Sequence, residues 1–184
     1  KYGADETTDI ALRVIADHVR AIAFSIADGQ LPSNNKAGYV IRRILRRAVR
    51  YAYSFLNFRD PILCDMVPVL AATFEGQFPE LDSQQEFIAR VIREEENAFL
   101  RTLETGIKKF EQYQGSKIEG AFAFELFDTF GFPIDLTQLM AREKGMEVDM
   151  DGFNAAMFEQ KTRSRAAAEK DLSDWVQVHE EEES

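Results

Sequence analysis

The chain has 184 residues, 45% of them hydrophobic and 29% charged, with a formal net charge of −10. That length suffices for one fair-sized core or two small ones, and the mix is that of an ordinary globular protein. The only cysteine, Cys64, excludes an internal disulfide and a cysteine-based zinc site, the histidines His18 and His179 have no Cys partners at metal spacing, and no apolar run approaches the ~18 residues needed to span a bilayer.

The polar N-terminus, Lys1 to Thr8, lacks the apolar core of a signal peptide, so a reducing, cytoplasmic setting is expected. Residues 8–28 read as a first helix, with Ile10, Val14, Ile15, Ala21, Ile22 and Ile26 near helical spacing and Gly29 as the stop. Leu31-Pro32-Ser33-Asn34-Asn35 is a turn by composition, and a second helix runs from about Lys36 to Asn57. Phe58-Arg59-Asp60-Pro61 breaks the chain. Residues 62–75 form a shorter helix, in which Pro68 is either a kink or part of the first turn.

After a break at Gly76 to Pro79, Ser83-Gln84-Gln85-Glu86 has the pattern of a capping box. It opens a long helix over about 84–114, with Gly106 expected to weaken it locally. Residues 115–120 are a loop, followed by a short helix over about 121–130 and the turn Gly131-Phe132-Pro133-Ile134. Asp135 can cap a helix over 136–144, ended by Gly145, and Asp151 can cap a last helix to about Lys170. No alternating run is long enough for a central strand. The class is all-α, a multihelical bundle built around one long helix with short connecting helices. Residues 1–165 form one helical domain, and 166–184 a tail that is partly disordered, ending in an acidic run.

The charge is unevenly spread. Residues 1–57 hold nine Lys/Arg against five Asp/Glu, a net of +4, while residues 58–184 hold thirteen against twenty-seven, a net of −14. A basic helical pair, 8–57, thus precedes an acidic bundle, 58–165. An acidic body weakens non-specific binding to nucleic acid and leaves it dependent on a local basic patch.

That patch is in the second helix. At ~100° per residue, Arg42, Arg43, Arg46, Arg47 and Arg50 fall within an arc of about 140°. Val40, Ile41, Ile44, Leu45, Ala48, Val49 and Ala52 occupy the other side. Five like charges repel, and no acid lies within this helix to relieve them. Arginine suits bidentate phosphate contacts and stacking on bases. Two readings are about equal on pattern alone: a face that holds RNA, and a face paired with acids such as Glu94-Glu95-Glu96. In the second, the chain is a helical protein-interaction module whose arginines pair with acidic helices of a partner or of this chain. No nucleophile–base pair, Gly-rich phosphate loop or metal set points to an autonomous enzyme.

Several segments in order resemble the alanyl-tRNA synthetase family. They are Arg13-Val-Ile-Ala-Asp-His-Val-Arg20, Ala27-Asp-Gly-Gln-Leu-Pro-Ser-Asn34, Gly38-Tyr-Val-Ile-Arg-Arg-Ile-Leu-Arg-Arg-Ala-Val-Arg50, Phe127-Asp-Thr-Phe-Gly-Phe-Pro-Ile-Asp-Leu-Thr137 and Asp149-Met-Asp-Gly-Phe-Asn-Ala-Ala-Met157. The resemblance spans about residues 8–165 and is to the helical tRNA-recognition region after the class II catalytic core. It implies a fragment of an ATP-dependent class II alanine–tRNA ligase, inactive alone. Its partners would be the acceptor stem of tRNA(Ala) and the enzyme's own catalytic and editing domains, with no DNA and no membrane partner. No cofactor is expected in the fragment, and ATP, magnesium and zinc would belong to the other domains.

The resemblance also implies site residues. The family selects its tRNA by a G·U wobble pair, and its Asn and Asp match Asn34 and Asp135 here. The minor groove of A-form RNA is open to protein, and wobble pairing leaves the guanine amino group a free donor. A carboxylate can accept from it, and an amide can bridge a base edge and a 2′-OH. Arg42, Arg43, Arg46, Arg47, Arg50 and Lys36 would engage the backbone. Asp17, His18 and Arg20 are family-like too, as tRNA contacts or as a polar network fixing the first helix against the second. On spacing alone Asp135 is a helix cap and Asn34 an ordinary turn residue. Departures are Ala37 where the family has Arg, and Phe127 and Phe130 in place of tyrosines.

Overall fold

The computed structural model describes residues 2–173. The first helix, α1 (Glu6–Ala27), begins two residues early because Asp5 is its cap, its carboxylate accepting from the Thr8 amide at 2.7 Å. Gly29, at φ +82°, ends it as expected. The second, α2 (Lys36–Leu56), ends at Asn57 in the left-handed region. These two helices make the most extensive helix pair in the molecule, burying Ile15, Val19, Ile22, Ile26, Ile41, Leu45, Ala48 and Val49. Ile10 and Val40, counted on the apolar faces from periodicity, are exposed.

A 3-10 turn (Cys64–Met66) leads into α3 (Val67–Thr73), so the third helix is shorter than its composition suggests and Pro68 lies in its first turn. The capping-box reading of Ser83 is corrected. Ser83 is the last residue of a separate short helix, α4 (Pro79–Ser83), and its hydroxyl donates to the Glu80 carbonyl. The long helix, α5 (Gln85–Glu111), starts at Gln84, whose side chain makes no capping bond and donates instead to the Ala27 carbonyl at 3.2 Å. It runs unbroken through Gly106, which is buried against the Phe132 ring.

The rest is built on α5. Strand β1 (Lys117–Ile118), α6 (Gly120–Asp128), α7 (Ile134–Glu143), strand β2 (Glu147–Val148) and α8 (Met150–Ser173) follow in order. The two strands pair in parallel, Lys117 opposite Glu147 and Ile118 opposite Val148, a tie too short for periodicity to reveal. The cap readings of Asp135 and Asp151 are also corrected. Each is the second residue of its helix; Pro133 precedes α7, and no side chain caps it. In the C-terminal tail, helix α8 continues to Ser173, and the acidic run at 180–183 lies outside the described residues.

One hydrophobic cluster runs from Ile15 in α1 through Leu45, Phe99 and Phe132 to Phe153 in α8. The basic pair and the acidic bundle share this core. No described helix is long and apolar enough to cross a membrane. The mainly helical architecture agrees with the all-α reading.

Candidate nucleic-acid interface

The apolar side of α2 faces the core, and the arginine side meets acids and a carbonyl from α5, α7 and the turn between α6 and α7. All five arginines have partners within the chain. Arg42 makes a two-point contact with Glu95 of α5, at 2.5 and 3.1 Å. Arg46 donates to the Gly131 carbonyl, stands 3.8 Å from Glu95, and lies over the Phe99 ring at 5.2 Å. Gly131 has φ +71°, and a Cβ there would meet the Arg46 guanidinium, so glycine is favoured at this turn and lets Arg46 approach its carbonyl. Arg47 donates to Asp135 at 2.6 Å, and Arg43 stands 3.5 Å from the same carboxylate. Arg50 grips Glu143 with both terminal nitrogens, at 2.5 and 2.9 Å, with the Phe55 ring 4.8 Å away.

The five are not equivalent. Arg50 keeps only 7% of its side-chain exposure and Arg46 17%, while Arg43 keeps 42% and Arg47 35%. Burial lowers the pKa of Arg46, against the opposing pull of Glu95. Five guanidinium groups face three carboxylates, Glu95, Asp135 and Glu143. The surplus is positive on a chain whose sum is −10. The repulsion along α2 is therefore relieved inside the fold, but not fully neutralised.

Asn34 and Asp135 are both drawn to this face. The turn before α2 folds back so closely that a Cβ on Gly38 would overlap Ser33 and the Leu31 carbonyl. The Ser33 amide donates to the Gly38 carbonyl at 3.0 Å, and the Ser33 hydroxyl donates to the Asn35 carbonyl at 2.9 Å. This closure sets the exposed Asn34 side chain beside Arg42, whose guanidinium donates to its amide oxygen. Asn34 and Asp135 are thus held by arginines of one helix, Asn34 by a hydrogen bond from Arg42, and Asp135 by a hydrogen bond from Arg47 and an ion pair with Arg43. Tyr39, one turn earlier, lies between these charges: burial, then the Asp135 carboxylate, raises its pKa.

An open cleft of about 540 Å³ lies alongside. Asn34, Tyr39, Arg42 and Arg46 form one wall, and Asp128, Phe130 and Gln160 contribute to the other. Lys36 is exposed next to Asn34 and enters α2 at φ +51°, a conformation uncommon for lysine. Asp17, His18 and Arg20 bond to one another along α1. Arg20 meets Asp17 at 2.8 Å and His18 meets it at 3.3 Å, with no bond from the three to α2. They do not form the cross-helix network that sequence allowed.

Periodicity missed Glu143 and Gly131, because nothing in a linear pattern says that α7 and the turn before it meet the arginine face, and it missed Tyr39, whose role depends on those same neighbours. Glu95 was visible as one member of an acid run. Its neighbour Glu96 turned out to have another task, accepting from the amides of Ile62, Leu63 and Cys64, each at 2.9 Å. Among the described residues no group of three or more His, Cys, Asp or Glu could hold a metal ion.

The site is thus a cleft on a helical scaffold, with Arg42 and Arg46 in one wall beside the exposed amide of Asn34, and with Asp135 held on the same arginine helix by Arg47. Comparison with known proteins gives the class: the model of class II tRNA synthetases (A) matches residues 1–184, and the chain belongs to that family. More particularly, it is similar to alanine–tRNA ligases. It is 60% identical to that of Cytophaga hutchinsonii over 190 residues, covering 100% of this chain and 22% of the relative. It is 60% identical to that of Flavobacterium psychrophilum over 91% of the chain and 19% of the relative. It is 56% identical to that of Porphyromonas gingivalis over 98% and 22%. The chain thus spans about a fifth of the length of these curated relatives.

Proposed function

We propose that this chain is the part of an alanine–tRNA ligase that recognises the acceptor stem, with Asn34 and Asp135 reading a G·U wobble pair. The longer protein would then esterify alanine to the 3′ end of the tRNA held here. The observation that carries this reading is the convergence of Asn34 and Asp135, 101 residues apart, on neighbouring arginines of α2. The amide oxygen of Asn34 is already taken by Arg42, which leaves its NH2 group as a donor toward a base edge or 2′-OH. Lys36, which is exposed, and Arg43, the most exposed arginine of the face, supply phosphate contacts that set register, and base contacts supply choice.

The test compares binding of a hairpin RNA carrying the G·U pair with one carrying G·C, at low salt. The unsubstituted chain should prefer G·U, and Asp135→Ala should remove most of that preference. Equal preference before and after the substitution would sink the assignment.

The internal pairing of all five arginines favours a second reading, in which the stripe is a purely structural clamp of an interaction module. Under that reading neither hairpin binds at low salt.

A further inference from the structure

We infer that Arg47 is the positioning residue for the base-reading carboxylate of Asp135, and that Arg43 is the removable cover over its second oxygen. This rests on the reading of Asp135 given above and goes on to divide the arginine face by task.

The argument begins with what holds Asp135. It is the second residue of α7, but its carboxylate makes no capping bond to that helix. Its orientation is set from α2. Arg47 Nη2 donates to Oδ2 at 2.6 Å, while Oδ1 is buried and has no hydrogen-bond partner among the described residues. The nearest cation to Oδ1 is Arg43 Nε at 3.5 Å, an ion pair without a hydrogen bond.

A buried acceptor left unfilled is costly, so the site is open to one more N–H donor. The exocyclic amino group of a guanine whose base partner leaves it free has the matching chemistry. Arg43 is the most exposed arginine of the face and the least firmly bonded to Asp135. It can move to a phosphate and uncover Oδ1. Arg47 is tighter to the carboxylate, with a 2.6 Å hydrogen bond, and its Nε is buried although its side chain as a whole keeps 35% of its exposure. It stays, and fixes where Oδ1 points. Phosphate engagement and base reading are thereby coupled through one carboxylate.

The experiment measures affinity of this chain for the G·U and G·C hairpins over a range of salt. It uses Arg47→Ala, Arg47→Lys, Arg43→Ala, Asp135→Ala and the Arg47→Ala/Asp135→Ala double variant. Arg47→Ala should lower the G·U preference about tenfold, as Asp135→Ala does, and leave the salt dependence unchanged. The double variant should lose no more preference than either alone. Arg43→Ala should keep the preference and flatten the salt dependence by about one unit. Arg47→Lys, which keeps charge but not the planar fork, should recover part of the preference.

Equal loss on both hairpins for Arg47→Ala, with a flatter salt dependence, would make Arg47 a phosphate contact and overturn the inference while Asp135 remains a reader. Preference that survives Asp135→Ala, or is absent in the unsubstituted chain, overturns the reading of Asp135 and this inference with it. If thermal melting shows Arg47→Ala to be unfolded, Arg47→Lys decides between the same two outcomes.

Discussion

The guanidinium of Arg46 donates to the backbone carbonyl of Gly131, joining α2 to the turn that starts α7. The same group lies over the Phe99 ring and near Glu95, so its charge is met by three features of the protein itself. From periodicity Arg46 is simply the middle of an RNA-facing stripe. In the fold it is a tie between α2, α5 and the Gly131 turn.

Arg46→Ala should therefore lower stability more than it changes the salt dependence of RNA binding. Loss of a largely buried, charge-assisted bond and of its stacking is worth about 2–4 kcal/mol. Denaturant unfolding measures that loss. A stability within 0.5 kcal/mol of the unsubstituted chain, roughly the effect of an ordinary surface substitution, would refute the structural role.

Glu96 is the buried anchor for the backbone of residues 62–64, with three amides on one carboxylate. Glu96→Gln removes the charge and turns one acceptor into a donor aimed at amide N–H groups. The expected cost is about 2–4 kcal/mol, since bonds to a charged acceptor are the stronger kind. Thermal unfolding should show a midpoint lower by roughly 5–15 °C for a chain of this size.

Cys64 lies in that same turn. Burial, followed by the nearby Glu96 charge, pushes its thiol up to about 12. At neutral pH the reactive thiolate is scarce and shielded. The native chain should react with a thiol reagent far more slowly than the urea-unfolded chain. Comparable rates in the two states would contradict the packing of this turn.

His18 gives a pH dependence. Burial lowers its pKa from the usual 6.5, with Arg47 acting in the same direction and Asp17 opposing. The unfolded chain therefore takes up the proton first as pH falls. Stability from the neutral imidazole is fully present above 6.5, declines as pH drops from 6.5 through the lowered folded value, and levels off below it. His18→Gln should flatten the fall in unfolding midpoint between pH 7.5 and pH 5, measured by thermal melts.

Sequence by itself determined a good deal here. The 3.6-residue spacing of apolar side chains located α1, α2 and α5, because each must bury one stripe. Glycines at 29 and 145 marked helix ends through their positive φ. The segments from Arg13 to Met157 pointed to the family before any coordinate was needed. Cap readings were poorer. Ser83, Asp135 and Asp151 each sit inside or at the end of a helix, since a short polar residue before an apolar run can start one helix or finish another.

What only the tertiary structure decided is which acid answers which arginine. A helical pattern says that five guanidinium groups share a face, but charge pairing acts through space, and α7 lies some 90 residues further along the chain. Its side chains reach α2, Asp135 meeting Arg47 and Glu143 meeting Arg50, while α5 brings Glu95 to Arg42. That arrangement buries Arg50, partly buries Arg46 and leaves Arg43 the most exposed of the five. Desolvation and pairing, set by the packing of helices distant in sequence, separate the arginines that hold the fold from those free to meet a phosphate.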